Sequence, residues 1–430
     1  MEVTAIYFPS YHRDALNDQW YGAGWNEWRL MEAAQPLFAG HEQPKLCTWG
    51  AFDEADPAWM ERQIDLAADH GITTFLWDWY WYSGAKFLHR ALEEGFLKAR
   101  NRHRLKFFIM WANHTWGVFP ACRGIFRGPG GAIGGCPAPA AVDPAALATF
   151  SEGQALAYDK PLLEIKHTLA DLERVVEYCA AHYFHEPNYS QVDGRPIFSF
   201  WRWEELATQL GGVAGVAQGF ERMRSVARRH GFPGLHIQVN IACYERPETR
   251  HCWWPALADR AREAGADSVY GYNVARTHGY PTIPNALPVV PYDDVIDSHH
   301  ELFRLCENRG IPFHPVATIG FDNTPRWQRG VKLPVDFRKH FYEPICIGNT
   351  PEKFRLALEA ALASLDRQTK NSTDKTPRML LINAWNEWSE GCQLLPTTQD
   401  GTGYLETLKR VWNERSKTDG RNQSAPGGRI

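Results

Sequence analysis

The chain has 430 residues, of which 44% are hydrophobic and 22% charged, and its formal net charge is −4. This composition is ordinary for a soluble globular protein, and the lack of excess positive charge argues against nucleic acid as a partner. The length fits either two or three domains or one α/β barrel with insertions.

Strand-like and helical patterns alternate along most of the chain. Apolar runs that end in polar or aromatic residues predict strands at 3–8, 72–81, 106–113, 196–201, 236–241, 268–273, 314–321 and 379–388. Helical patterns lie between and after them and predict helices at 59–70, 85–99, 169–182, 220–230, 255–264, 293–309, 351–365 and 403–414.

Strand and helix units repeated in series predict an α/β fold, a (β/α)8 TIM barrel with long active-face loops. We expect this barrel to form one catalytic domain over residues 1–415. An open doubly wound sheet is the alternative, but the Gly-rich stretch at 124–135 lacks the spacing of a phosphate-binding fingerprint.

Two segments depart from the alternating pattern. Residues 115–164 are rich in Gly, Ala and Pro, and they predict an insertion after the third strand, as a disordered segment or as a lid over the active face. Residues 416–430 are polar with Gly and Pro and predict a flexible tail.

The first residues enter a strand-like run without a basic region or a long apolar region, so no secretory signal is visible. No stretch reaches membrane-spanning length. Nine cysteines without C-x-x-C spacing fit reduced thiols, and we expect a cytoplasmic protein. A secreted chain trimmed of its signal has the same appearance.

The segment at 380–391 carries the strongest chemical signal, with the sequence LLINAWNEWSEG. Its apolar start predicts a buried strand, and polar residues begin where that strand ends. Glu387 and Glu390 follow, and we interpret them as the acid and base of a catalytic site rather than as solvated residues of a surface turn. The substrate contacts expected around them are Asn383, Trp385 and Trp388.

Other polar and aromatic residues follow the predicted strands and are expected to converge on one face of the barrel. Carboxylates, amides and rings together suit a sugar, because sugars offer hydroxyl groups and apolar ring faces. For Asn240 a satisfied buried amide is an equal alternative. The candidate substrate contacts are Tyr7, His12, Asp78, Tyr80, Asn113, His114, Trp201, Asn240, Tyr272, Asp322 and Asn323.

The segment at 20–28 places Glu27 and Trp28 among further rings. We interpret this segment as a loop over the mouth of the barrel, with binding and packing equally open as its role. Both residues are added to the candidate substrate contacts.

Metal and nucleophile chemistry lack their usual motifs. His299, His300 and Glu301 do not match H-E-x-x-H, and no G-x-S-x-G elbow is present. Cys392 fits a small packed side chain better than a nucleophile. We therefore expect no metal and no cofactor.

Three blocks carry a resemblance to known families. Asn386, Glu387, Trp388, Glu390, Gly391 and Gln393 resemble the N-E-W-x-E-G-x-Q motif of glycoside hydrolase family 99, the endo-α-mannosidases and endo-α-mannanases. The N-terminal blocks, with Tyr7, Phe8 and Pro9, resemble the related bacterial WbsX-like proteins. So does GFDNTPR at 320–326, which adds Arg326 as a substrate contact.

The resemblance implies a retaining glycosidase on a (β/α)8 barrel, without a metal, that acts on an α-linked mannose-like oligosaccharide or polysaccharide. Glu387 takes the position of the base that acts on the sugar 2-hydroxyl and gives a 1,2-anhydro sugar. Glu390 takes the position of the general acid and then base. This route differs from direct attack of a carboxylate on the anomeric carbon.

One departure from the WbsX-like pattern lies after the third strand, where Trp111, Ala112, Asn113 and His114 replace W-A-N-E. Trp111 remains a candidate contact, while imidazole replaces an acid at His114. Two other functions stay open: a glycosyltransferase-like or polysaccharide-assembly enzyme of the WbsX-like branch, and a glycan-binding barrel without chemistry. A D-x-D site for a sugar-nucleotide donor is not evident, and an intact glutamate pair is unnecessary for binding alone.

Overall fold

The computed structural model describes residues 1–117, 161–241, 250–274, 289–326, 345–371 and 378–423. Parallel strands form the centre of the protein. In chain order they are β1 (Glu2–Tyr7), β2 (Thr74–Tyr82), β3 (Lys106–Trp111), β4 (Arg195–Phe200), β5 (His236–Asn240), β6 (Ser268–Tyr270), β7 (Phe313–His314 and Val316–Thr318) and β8 (Met379–Asn383).

The strands pair in sequence order, and β1 also pairs with β8, so the sheet curves back on itself. Pro315 divides β7, since proline offers no N–H to a neighbouring strand. The half before it pairs with β6, where His314 lies opposite Tyr270, and the half after it pairs with β8. The carbonyl of Pro315 accepts a hydrogen bond of 3.0 Å from the Leu381 N–H. The barrel closes at this strand, which confirms the predicted (β/α)8 fold.

Helices surround the barrel. Several begin at residues that cap them: Asp56 accepts a hydrogen bond from the Ala58 N–H ahead of Pro57, and Thr168 accepts one from Asp171. The α-helices are α1 (Ala15–Tyr21), α2 (Trp28–Ala33), α3 (Pro57–Asp69), α4 (Leu169–His182), α5 (Trp203–Leu210), α6 (Val213–Arg229), α7 (Arg250–Glu263), α8 (Tyr292–Cys306), α9 (Pro351–Asn371) and α10 (Gly403–Gln423).

The predicted α-helix at 85–99 is wrong. Ala85–Phe87 pairs antiparallel with the end of β2, and the chain continues as a π-helix at Ala91–Gly95 and a 3-10 turn at Phe96–Lys98. The cause is a close approach, because a Cβ on Gly95 would lie 2.2 Å from the Glu54 carbonyl oxygen. The backbone here follows a distant contact rather than its own helical propensity.

The end of β8 and the start of the tail also differ from expectation. Strand β8 ends at Asn383 rather than at residue 388, and Asn386–Glu387 then pairs antiparallel with Cys392–Gln393. Helix α10 runs to Gln423, so the first part of the expected tail is helical, while residues 424–430 lie outside the described residues. Most of the expected insertion, residues 118–160, also lies outside them.

The core fills the barrel and the layer between strands and helices. All nine residues of β2 are buried, as expected for a parallel strand covered on both faces. No described helix is both long enough and apolar enough to cross a bilayer.

Candidate active site

A cleft of about 230 Å³ lies at the carboxyl ends of the strands. Its walls come from the residues that end or follow most of the strands, which is where (β/α)8 barrels carry their active sites. The lining residues are Phe8, Asp78, Tyr80, Ala112, His114, Trp116, Gly117, Trp201, Arg202, Tyr272, Arg326, Glu387 and Glu390.

A short turn after β8 presents the two glutamates. The Asn386 side chain holds its start, because its amide accepts a hydrogen bond from the Phe8 N–H and donates one to the Phe8 carbonyl, both at 2.7 Å. A 3-10 turn at Trp388–Glu390 follows and ends at Gly391 with φ +64°. A side chain at Gly391 would meet Asp322 at 3.0 Å. Both glutamates therefore reach the cleft from a fixed backbone.

Arg326 lies at the centre of a group of carboxylates. Its guanidinium donates hydrogen bonds to Glu390, to Glu27 at 3.3 Å and to Glu387 at 3.4 Å. It also lies over the Phe8 ring, 5.4 Å from the centroid. Asp78 lines the same cleft. We call Arg326, Glu27, Asp78, Glu387 and Glu390 the cleft cluster.

The cleft cluster holds four carboxyl groups and one guanidinium. The excess of negative charge changes the pKa values of the carboxyl groups. Burial and the nearby Glu390 raise the pKa of Glu387 well above its usual range, although Arg326 acts against this. Burial and Glu390 also raise the pKa of Asp78. Both shifts favour the neutral acid form of Glu387 and Asp78 over the ionised form.

Glu27 supports the turn from below rather than covering the mouth of the barrel. It is fully buried and accepts a hydrogen bond from the Ser389 hydroxyl as well as from Arg326. Trp28 donates a hydrogen bond to the Phe52 carbonyl and packs against Trp388. Of the two roles left open for this segment, burial favours packing for both residues, and their contact with substrate stays a prediction.

Aromatic side chains form the opposite wall of the cleft. His114 lies 4.9 Å from the Trp201 ring, and Tyr80 lies 5.2 Å from Trp116. Tyr272 lies 6.0 Å from Trp201 and donates a hydrogen bond of 3.3 Å to Glu387. Ring faces and hydroxyls near two carboxyl groups provide the contacts that a sugar ring requires.

Tyr7 and His12 do not reach the cleft. Both are fully buried beneath it, where the Tyr7 hydroxyl and the His12 ring each donate a hydrogen bond of 3.0 Å to Glu54. The Tyr11 N–H, at 2.7 Å, and the Asn386 amide, at 3.3 Å, donate to the same carboxylate. We call Glu54, Tyr7, His12, the Tyr11 N–H and Asn386 the inner network. It fixes the ends of β1 and β8 relative to each other.

Trp111, Asn113 and Asn240 also lie behind the wall and not in it. The Trp111 indole donates to the Trp81 carbonyl at 3.2 Å. Asn113 accepts a hydrogen bond of 3.1 Å from the Trp201 N–H, and Asn240 donates one of 3.1 Å to the Trp201 carbonyl. These two amides are satisfied buried groups that fix the backbone of a cleft residue.

Asn383, Trp385 and Trp388 are buried in the barrel and do not line the cleft. The Trp385 indole donates a hydrogen bond of 2.9 Å to Gln63. Trp388 packs on Trp28 at 5.5 Å. In this structure the three side chains lie inside the barrel, and their contact with substrate stays a prediction.

Asp322 holds the backbone of Glu390 and Asn323 that of Arg326, and neither residue lines the cleft. Asp322 accepts hydrogen bonds from His41 at 2.8 Å and Gln43 at 2.7 Å, and its N–H donates to the Glu390 carbonyl at 2.7 Å. Burial acts to raise the pKa of Asp322, but the hydrogen bonds, His41 foremost, bring it below its usual value. The Asn323 carbonyl accepts from the Arg326 N–H at 3.0 Å.

Several residues of the site were not identified from the sequence. Trp116 and Arg202 stand next to residues that were identified after β3 and β4, so their position in the chain was an available signal. Phe8 was noted for the family resemblance and not as a contact. Glu54 lies in a loop ahead of α3, and no sequence pattern singles it out.

In the described parts of the chain, no three His, Cys, Asp or Glu side chains are arranged to hold a metal ion. Cys392 is fully buried, and its sulfur lies 3.9 Å from the Asn273 amide.

The comparisons with known proteins agree with this architecture. The family model described as Glycosyltransferase WbsX matches residues 3–119 and 152–408. The protein called Uncharacterized protein WxcX in Xanthomonas campestris pv. campestris is 26% identical over 416 residues, which are 95% of this chain. The chain spans about half, 49%, of the length of that relative.

Among solved structures, two of the GH99 endo-alpha-mannosidase from Bacteroides thetaiotaomicron give TM-scores of 0.55 and 0.51 at 12% identity. The first covers 98% of both chains. A further structure, described as Glycoside hydrolase-like protein, gives 0.52 at 13% identity over 95% of this chain and 93% of its own. At such identities the likeness shows the fold alone.

Proposed function

We propose that this chain, which belongs to the family described as Glycosyltransferase WbsX, acts as a retaining glycoside hydrolase on an α-linked, mannose-like glycan. Family and fold together support a glycan-active enzyme. The hydrolytic reaction, the mannose-like substrate and the roles of individual residues are parts of the proposal.

The observation that carries the proposal is the position of Glu387 and Glu390. One short turn presents both side chains to the same cleft, opposite the aromatic wall. The inner network and the Asn386 amide hold that turn from behind. Such rigid support is what a catalytic pair needs to keep its geometry.

In the proposed reaction, the Glu387 carboxylate takes the proton of the sugar 2-hydroxyl, and the 2-oxygen attacks the anomeric carbon. Glu390 gives its proton to the departing glycosidic oxygen. Water then opens the 1,2-anhydro sugar while Glu390 takes a proton from that water and Glu387 returns its own. Two inversions at the anomeric carbon give net retention.

Arg326 must release Glu390 before Glu390 can serve as an acid, because an ionised carboxylate is the natural partner of a guanidinium. Glu387 must likewise lose the proton that burial favours on it. Substrate entry therefore has to redistribute charge inside the cleft cluster. A glycosidic oxygen placed beside Glu390 supplies the competing hydrogen-bond partner.

Glycosyl transfer is the second candidate, and the description of the family favours it. A sugar-nucleotide donor carries a diphosphate that needs positive charge. In the described part of the cleft, Arg326 is already bound to three carboxylates, and Arg202 donates a hydrogen bond of 3.0 Å to Glu205. This charge arrangement supports hydrolysis over transfer from a nucleotide donor.

The first test is a screen of α- and β-linked aryl glycosides and mannose-containing oligosaccharides, followed by NMR of the first anomer released. We expect hydrolysis of an α-linked substrate with retention. Glu387→Gln and Glu390→Gln should each lower turnover by about 10²–10⁴-fold while glycan binding persists. Glu94→Gln, at a surface glutamate paired with Arg90, is the matched control and should keep full activity.

Release of the inverted anomer would exclude the anhydro-sugar route. Near-normal turnover in either cleft variant would remove that glutamate from the mechanism. If no glycoside is cleaved, but a sugar nucleotide is consumed in the presence of an acceptor glycan, the transferase assignment replaces the hydrolase.

A further inference from the structure

Asp78 is a buried carboxyl group in the wall of the cleft for which the proposed reaction has no role. It lies in β2, lines the cleft and is 5% exposed. Its Oδ1 is buried and has no hydrogen-bond partner among the described residues. A carboxyl oxygen left in this state is costly when charged, so the neutral acid is favoured.

The Tyr272 hydroxyl connects Asp78 with Glu387. It donates a hydrogen bond of 3.3 Å to Glu387 Oε1 and lies close enough to Asp78 to lower the pKa of that carboxyl group. Tyr272 is 3% exposed, so its hydroxyl meets both carboxyl groups away from bulk water. The Tyr272 hydroxyl carries one proton and can donate it to only one carboxyl group at a time. It can satisfy both carboxyl groups at once only when one of them is protonated and donates to the Tyr272 oxygen.

The charges around Tyr272 favour a proton on one of the two carboxyl groups, Asp78 or Glu387. Burial and Glu390 raise the pKa of both Asp78 and Glu387, and Arg326 is the cation that opposes them. The titratable and charged groups that act on either carboxyl are Glu27, Glu390, Arg326, Tyr11, Tyr80 and Tyr272.

We propose that Asp78 and Glu387 share one proton through the Tyr272 hydroxyl, and that Asp78 holds this proton while Glu387 acts as a base. The catalytic part of the inference rests on the proposed function. The shared proton itself is a property of the substrate-free protein and does not depend on the substrate.

The transfer conserves every proton. Neutral Glu387 gives its proton to the Tyr272 oxygen while Tyr272 gives its own hydroxyl proton to the Asp78 carboxylate. Glu387 is then a carboxylate and Asp78 a neutral acid, with Tyr272 unchanged. Glu387 can take the proton of the sugar 2-hydroxyl, and the reverse transfer restores the first state.

The test is carbon-13 NMR of the side-chain carboxyl groups in the substrate-free, full-length protein, from about pH 4 to 9. Asp78→Asn and Glu387→Gln assign the two signals by removing them. In the wild-type protein we expect both signals to lie between the shifts of neutral acid and carboxylate near pH 7. In Glu387→Gln, the Asp78 signal should move to one extreme and titrate in one step.

Tyr272→Phe removes the bridge and keeps the ring. We expect it to separate the two signals, with one group neutral and the other ionised near pH 7. Tyr80→Phe removes a hydroxyl from the same cleft and is the matched control, in which the shared signals should persist. If Tyr272→Phe leaves the signals of Asp78 and Glu387 unchanged, their coupling is electrostatic alone and the proposal is wrong.

The catalytic part is tested on any substrate that the screen finds. Asp78→Asn and Tyr272→Phe should each lower kcat about 10-fold or more and move the acidic limb of the pH profile, without additivity in the double variant. Tyr80→Phe should change KM and leave the profile in place. A KM effect alone in all three variants would make Asp78 a binding residue. If the NMR signals show a shared proton but no glycoside is hydrolysed, the proposed reaction is wrong and the shared proton is not.

Discussion

The inner network and the cleft cluster are both built on buried carboxylates, and adjacent residues of the chain serve them. Asn386 points inward to Glu54, and Glu387 points outward to Arg326. In the inner network, four donors satisfy one carboxylate. In the cleft cluster, four carboxyl groups surround one guanidinium, and among the described residues one oxygen of Glu27 and one of Asp78 have no hydrogen-bond partner.

This difference separates a group that stabilises the fold from one that is available for chemistry. A fully satisfied buried group contributes rigidity and leaves nothing to react, whereas excess like charge stores unfavourable energy that a substrate can relieve. The comparison predicts opposite effects when a glutamate is removed from each group.

Glu54→Ala should show the largest effect. Four donors lose their acceptor, and we expect the free energy of unfolding to fall by about 3–5 kcal/mol in urea denaturation. Glu54→Gln keeps the shape and one acceptor oxygen, so its loss should be smaller, about 1–2 kcal/mol. If Glu54→Ala is as stable as the wild-type protein, the inner network has no structural role.

Arg326→Met should destabilise the folded protein by about 2–4 kcal/mol at pH 8. Loss of the guanidinium raises the pKa of Glu387 further, since Arg326 opposes that shift. A raised folded-state pKa gives stability that is present at low pH and is lost as pH rises. The deficit should therefore shrink toward pH 5 in thermal unfolding. A deficit independent of pH would mean that Arg326 acts through packing alone.

Glu387→Gln should show the smallest effect and the opposite sign. The folded-state pKa of Glu387 lies above the unfolded value of about 4.3, so the wild-type protein loses stability as pH rises through this window. Glutamine does not ionise, so the variant should be more stable by about 1 kcal/mol at pH 8 and equal near pH 4. A variant less stable than the wild-type protein at pH 8 would place Glu387 with the inner network.

The barrel could be predicted from the sequence because buried parallel strands form continuous apolar runs. Strand β2 shows this directly, since every residue in it is buried. The structure of the segment at 85–99 could not be predicted from the sequence. Its path depends on the contact between Gly95 and the Glu54 backbone, which are 41 positions apart in the numbering (95 − 54).

The site could be predicted from the sequence only in part, for a related reason. The residues after the strands could be found, and Asp78, Tyr80, His114, Trp201, Tyr272, Arg326 and the two glutamates do line the cleft. Which side chains turn inward could not be read from the sequence. Tyr7 and His12 face Glu54, a residue in a loop without any pattern, and Asn113 and Asn240 bind the backbone of Trp201.

Pro315 has a consequence for the motion of the barrel. Strand β7 holds each neighbour with a short set of pairs, and Pro315 offers an acceptor without a donor. A strand with few backbone hydrogen bonds to a neighbour needs less free energy to open locally than a fully paired one. Arg326 lies eight positions beyond the end of this strand at Thr318 (326 − 318), in the segment that the strand leads into. The break in β7 thus lies in the strand that leads to Arg326, the charge that holds Glu390.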